Sequence, residues 1–153
     1  LGVSGDGSVI VGYGTTGAGR EAFRWTRAGG MESLGDLAGG LLFSEARGVS
    51  ASGGVIVGYS KDDVDDAAFV WTEAEGMQSV QEILTGAGVD LTGWRLRRAN
   101  AISGDGMVVA GYGTNPAGET EAWVATLPGG CRADLPGDGS LDFCDFLACQ
   151  GCA

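Results

Sequence analysis

Short β-branched apolar runs alternate along the chain with glycine-rich polar turns, and the alternation recurs. Gly2-Val3-Ser4-Gly5-Asp6-Gly7-Ser8-Val9-Ile10-Val11-Gly12-Tyr13 is echoed from Gly48 to Tyr59 and again from Ala101 to Tyr112. A second block follows each time: Ala22-Phe23-Arg24-Trp25-Thr26, Ala68-Phe69-Val70-Trp71-Thr72 and Ala122-Trp123-Val124-Ala125-Thr126. A third appears twice, as Gly30-Met31-Glu32-Ser33-Leu34 and Gly76-Met77-Gln78-Ser79-Val80. From Gly2 to Gly48 the spacing is 46 residues, and from Gly48 to Ala101 it is 53. An insertion across roughly residues 85–98 accounts for the longer second interval.

These blocks predict strands. Asp-Gly ahead of a β-branched run marks a hairpin turn, since it supplies the positive φ angles of a tight reversal. Val-Ile-Val-Gly-Tyr is apolar at successive positions, as a strand buried on both faces should be. Ala22 to Thr26 alternates, with Phe23 and Trp25 on one face and Arg24 on the other. Residues Ser44 to Ser50 supply a fourth strand. Phe23, Trp25, Phe69, Trp71 and Trp123 recur with the pattern and are assigned to the core. Four strands in about 46 residues is the size of one propeller blade. The expected fold is therefore all-β: about three repeats of four-stranded antiparallel blades, a partial β-propeller, with almost no helix before residue 130.

Composition narrows the chemistry. Gly contributes 30 of 153 residues, which disfavours long helices. Nine basic against 20 acidic residues give a net charge of −11, so nucleic acid and anionic membrane surfaces are poor partners. No apolar run reaches the length of a membrane span. There is no histidine, which removes Ser-His-Asp and Cys-His catalysis from this chain. Glu/Asp pairs could serve a glycosidase, but none stands out from the acidic background. The chain begins at Leu1, inside the repeated motif, and reads as a mature or truncated C-terminal piece.

The three blocks resemble the HAF family of probable extracellular repeats. The stretch from Gly88-Val89-Asp90-Leu91-Thr92-Gly93-Trp94 to Ala122-Trp123 is similar to the closing repeat of such proteins. That resemblance covers residues 1–128, in units of about 1–47, 48–100 and 101–128. It implies a β-propeller-like fold and an extracellular or cell-surface location.

Composition changes at Gly129-Gly130, and all four cysteines follow it: Cys131, Cys144, Cys149 and Cys152. Asp134, Asp138, Asp142 and Asp145 occupy positions 1, 5, 9 and 12 of a calcium-type loop, with Gly139 at the sharp turn and Ser140 offering its carbonyl. Asp145 to Gln150 reads as a short exit helix. The segment 129–153 resembles half of a Cys-bracketed dockerin, although Pro136 replaces a usual ligand. Weak Ca²⁺ binding is expected, at about 10⁻⁴–10⁻³ M. Four cysteines allow three pairings. Cys131–Cys152, flanking the loop and helix, is the expected disulfide, with Cys144 and Cys149 packed beneath the loop.

Two further clusters carry candidate chemistry. Trp94, Arg95, Arg97 and Arg98 form the one basic-aromatic cluster, a candidate contact for a sugar or an acidic polymer, set against a packed Trp94 with solvated arginines. Asp62, Asp63, Asp65 and Asp66 form an acidic turn that is either solvated or a second cation site. The expected function is a non-catalytic extracellular repeat or binding module, with the tail anchoring it or contacting another protein. Its expected partners are neighbouring blades or another protein. The alternative is a carbohydrate-binding accessory part of a polysaccharide-degrading system.

Overall fold

The computed structural model describes residues 1–128. Eleven strands and one short helix follow in the order β1 (Gly2–Val3), β2 (Val9–Thr15), β3 (Arg20–Thr26), β4 (Gly30–Ser33), β5 (Gly39–Val49), β6 (Val55–Asp62), β7 (Asp66–Thr72), β8 (Gly76–Ser79), α1 (Val80–Gly86), β9 (Arg95–Ile102), β10 (Val108–Thr114) and β11 (Thr120–Thr126). No helix among the described residues is long and apolar enough to cross a membrane.

The turn that opens each repeated block is built the same way three times. The Ser4 hydroxyl accepts from the Val9 N–H at 3.0 Å, and Ser50 and Ser103 do the same for Val55 (3.1 Å) and Val108 (2.9 Å). Gly7, Gly53 and Gly106 close the three turns at φ 71°, 75° and 79°, where a side chain would be strained. Beyond each turn the hairpins share a register. Val9 pairs with Thr26, Val55 with Thr72 and Val108 with Thr126, and Gly12–Phe23, Gly58–Phe69 and Gly111–Trp123 follow three residues on. The turns also touch one another: Gly5 N–H donates to the Ala51 carbonyl at 3.1 Å, and Ala51 N–H to the Gly104 carbonyl at 2.9 Å.

Two apolar cores lie between successive hairpins. In the first, Ile56, Phe69, Trp71 and Met77 meet Val9, Val11, Ala22, Leu34 and Leu37. In the second, Val57, Ala68, Val70, Val80 and Leu84 meet Leu96, Ala99, Val109, Trp123 and Leu127. The recurrent aromatics thus serve the cores, apart from Phe23 and Trp25, which belong to neither cluster and are only half-buried.

The sheet architecture corrects the expected fold. Among the described residues there are no separate four-stranded blades and no propeller closure. The strands form two open sheets, one of eight strands in the path β1-β2-β3-β5-β6-β7-β8 with β4 beside β3, and one of three strands, β11-β10-β9. The reason lies in β5. It is eleven residues long; Phe43 reaches β3 in a parallel pair with Arg20, while Gly39 and the stretch from Ser44 to Val49 pair antiparallel with β6. That one strand fuses what the spacing presented as two units. At the chain's start β1 contributes only two residues, and β11 has no outer neighbour among the described residues.

The all-β expectation also meets a seven-residue helix, α1. Ser79 caps it by accepting from the Glu82 N–H, and Val80 and Leu84, one turn apart, are its buried residues. The Ser-x-x-Glu signature of a helix start is present in the sequence at Ser79 and Glu82.

Candidate functional site: a row of ion pairs and tyrosines

The two candidate clusters of the sequence turn out to be one site. Asp62 and Asp66 close the hairpin between β6 and β7, while Arg95, Arg97 and Arg98 open β9 alongside them. Arg95 Nη2 donates to both carboxylate oxygens of Asp62 at 2.7 Å. Arg97 meets Asp65 at 2.5 Å. Arg98 meets Asp66 through Nε at 2.9 Å and Nη2 at 2.5 Å. Lys61 joins Asp66 at 3.2 Å. Trp94 is packed against the second core, and its carbonyl accepts from Gln81 Nε2 at 2.9 Å. Arg95, Arg97 and Arg98 and the carboxylates of Asp62, Asp65 and Asp66 are thus paired across the two elements, whereas Asp63 stays exposed at the turn. Each cluster supplies the counter-charge of the other.

Asp62 and Asp66 respond accordingly. Burial raises the Asp66 carboxyl, but hydrogen bonds from Arg98 and Lys61 outweigh it and leave the group below its usual value. For Asp62, burial is likewise outweighed by Arg95 and by the backbone N–H groups of Asp65 and Val64.

Residues that the sequence analysis did not single out continue the row. Glu45 on β5 is 2% exposed; Arg20 holds one of its oxygens, and Arg47 the other at 2.8 Å. The hydrogen bond to Glu45 lifts Arg20 above its ordinary value. The Arg20 guanidinium lies 4.5 Å from the Tyr13 ring centre and 5.0 Å from that of Phe43. Arg47 and Arg98 sit over Tyr59 at 5.4 and 4.1 Å, and Arg98 also approaches Tyr112 at 5.8 Å. Burial pushes the Tyr59 hydroxyl up. Partly desolvated contacts of this kind contribute about 1 kcal/mol each.

A symmetry runs through the row. Arg20 pairs across its hairpin with Thr15, and Asp66 pairs with Lys61 at the same place in the next hairpin. Glu45 stands opposite Tyr59, and Arg98 opposite Tyr112. The tie from β3 to β5 is therefore Arg–Glu, and the equivalent tie from β7 to β9 is Asp–Arg. The contact is kept and its charges are exchanged. The recurring Gly-Tyr of Tyr13, Tyr59 and Tyr112 was the available sequence signal for this row. Glu45 gave none, since Arg20 lies 25 residues away, and Arg98 was legible only as a member of the basic cluster, its pairing with Asp66 spanning 32 residues.

Chemically the row is a set of clamps. Both oxygens of Glu45 are bonded to arginine, so the carboxylate is held between Arg20 and Arg47. No group of three or more metal-ligating side chains forms among the described residues. The expected calcium ligands Asp134, Asp138, Ser140, Asp142 and Asp145, and the cysteines of the expected Cys131–Cys152 disulfide, lie outside the described residues.

Comparisons with protein-family models, with curated proteins and with solved structures find no match to this chain. Together with the open sheets, that overturns the resemblance to HAF repeats and to a dockerin. The repeated motifs reflect a turn and hairpin used three times, and such local chemistry does not carry a family.

Proposed function

We propose that residues 1–128 form a non-catalytic interaction module that binds through the apolar faces at the two ends of its hairpin series. The carrying observation is the exposure of large apolar side chains there. Val3 and Met31 are exposed on the first hairpin group, Val108 and Val124 on the last. Register places Val3, Ile10, Trp25 and Met31 on one face of one sheet. It likewise places Val108, Ala110 and Val124 on one face of the other. Contiguous exposed apolar surface of this kind marks association sites. The ion pairs support the same reading, because they spend the basic groups on tying strands together.

Binding of the neutral apolar dye Nile red to the native protein tests this. Its fluorescence should rise on binding and fall with Met31→Glu and with Val124→Glu, each by a substantial fraction. A signal indifferent to both substitutions would refute the reading.

A further inference from the structure

We infer that the two exposed faces are complementary halves of one contact, so that a second copy of this chain docks head to tail, the last hairpin of one molecule against the first hairpin of the next. This rests on the interaction-module reading and names its partner. The contact is already present twice inside the molecule. In each internal core, one hairpin offers the face that carries its large residues, and the preceding hairpin offers the opposite face.

The positions correspond one by one. Ile56, Phe69, Trp71 and Met77, which pack on the preceding hairpin in the first core, are matched at the same register by Ile10, Phe23, Trp25 and Met31. Those four belong to neither core among the described residues. On the receiving side, Val55, Val57, Ala68 and Val70 pack on the following hairpin in the second core. Their register equivalents are Val108, Ala110, Ala122 and Val124. None of those four belongs to either core, and Val124 is 72% exposed where Val70 is 6%. The face of the first hairpin is bulky and that of the last is small, the same pairing of shapes that fills both internal cores.

The turns give a second, independent indication. Gly5 donates to Ala51 and Ala51 donates to Gly104. The next rung of that series runs from the Gly104 N–H to the Gly5 carbonyl of a second copy. It has the direction that apposes the last hairpin to the first. Such a contact is heterologous: each molecule uses two different surfaces.

Sedimentation velocity on the full chain, from micromolar to several hundred micromolar at about 0.15 M salt to screen the acidic surfaces, provides the test. The unmodified protein should form species larger than a monomer as concentration rises. Met31→Glu blocks one face and Val124→Glu the other, so each variant alone should be monomeric, with association weakened about 30-fold or more. Circular dichroism matching the unmodified protein verifies their folding. Mixed in equal amounts, the two variants retain one intact face each and should give a heterodimer and nothing larger. A variant that still self-associates means a symmetric contact and overturns the inference, as does a monomeric unmodified protein. If Nile red reports both faces while the protein stays monomeric, the interaction module survives and the second copy as partner does not.

Discussion

The central hairpin, β6–β7, and the outer hairpins, β2–β3 and β10–β11, have nearly the same sequence pattern and the same register, yet they live in different surroundings. Ile56 is fully buried and its equivalent Ile10 is 36% exposed. Tyr59 is buried between Arg47 and Arg98, whereas Tyr13 is exposed with only Arg20 over it. Hairpin formation is thus local, set by the β-branched run and the short loop that closes it, with the Ser-x-x-Gly turn leading into each hairpin. Burial is decided by whether a neighbour lies on each face. Among the described residues the central hairpin has two neighbours and each outer one has a single neighbour, so the same residue type should matter most in the centre.

The largest expected contrast is between two phenylalanines. Phe69 is fully buried in the first core, and Phe69→Ala should cost about 3–5 kcal/mol. Phe23 is half-buried and packs on no preceding hairpin, so Phe23→Ala should cost roughly 1–2 kcal/mol. Urea denaturation of both variants measures the difference. Equal losses would mean that the outer face is covered in solution, and would be the expected result at concentrations where copies associate.

The ion-pair ties offer a sharper comparison, because their charges are exchanged between regions. Arg98→Glu places two carboxylates together at Asp66 and should cost about 1.5–3 kcal/mol. Adding Asp66→Arg recreates in the β7–β9 tie the polarity that Arg20 and Glu45 already have in the β3–β5 tie, and should recover most of that loss. A double-mutant cycle by thermal or urea unfolding reads the coupling. No recovery would show that the surroundings of the pair, Lys61 beside position 66 with Tyr59 and Tyr112, and not the pair itself, set the sign. Acid should act on the same tie. Asp66 and Asp62 have carboxyls held below the ordinary 3.8 in the folded state. Their contribution is therefore complete above that value and is lost as pH falls below it through the lowered folded-state values.

Backbone approach separates the regions next. Gly58 lies against β5, and a Cβ there would run into the Glu45 carbonyl group and the Phe69 ring. At the equivalent Gly12, a Cβ would meet the mobile end of the Leu1 side chain and the Phe23 ring at 3.2 Å. Gly58→Ala should cost about 1–3 kcal/mol by overpacking. Gly12→Ala should change stability by about 0.5 kcal/mol or less, since the Leu1 tip can move aside. The comparison fails if the two variants unfold at the same denaturant concentration.

What the sequence made legible follows the same division. The three turns and the hairpin strands are local, and period-2 alternation with the recurring Ser-x-x-Gly punctuation reveals them, as it does the core positions Phe69, Trp71 and Trp123. Ser44 to Ser50 was recognisable as a strand, but its extension back to Gly39 was not. Gly39-Gly40 resembles a loop, and the parallel contact of Phe43 with Arg20 depends on a partner about twenty residues earlier. Helix α1 is hidden by the block pattern, in which Val80 closes the strand block from Gly76 to Val80 as Leu34 closes that from Gly30 to Leu34, although Ser79 and Glu82 spell a cap. The clamps between Asp62, Asp65, Asp66 and the β9 arginines were invisible as pairs. Each partner was seen separately as an exposed charge, and only the sheet packing brings them together.

The smallest contrast lies in the turns. Asp6 accepts from the Ser8 N–H at 2.9 Å and from the hydroxyls of Ser4 and Ser8, each at 2.7 Å. The backbone bond is the leading cause, with the two hydroxyls behind it, and together they lower the Asp6 carboxyl to about 2. The central turn does the same work without charge: Ser52 stands in place of the aspartate, 3.3 Å from the Ser50 hydroxyl and 3.3 Å from the Gly54 N–H. The depressed carboxyl means that the Asp6 contribution is present above the ordinary value of 3.8 and is lost as pH falls through about 2. Asp6→Ser converts the first turn to the chemistry of the central one. It should leave neutral-pH stability nearly unchanged, because a neutral acceptor remains and the site is open to water. It should also remove the Asp6 part of the acid dependence between about pH 4 and pH 2. Carboxyl NMR titration of the unmodified protein checks the premise directly: an Asp6 resonance titrating near 3.8 would show that Ser4 and Ser8 do not hold the carboxylate in solution, and the two kinds of turn would then respond alike to acid.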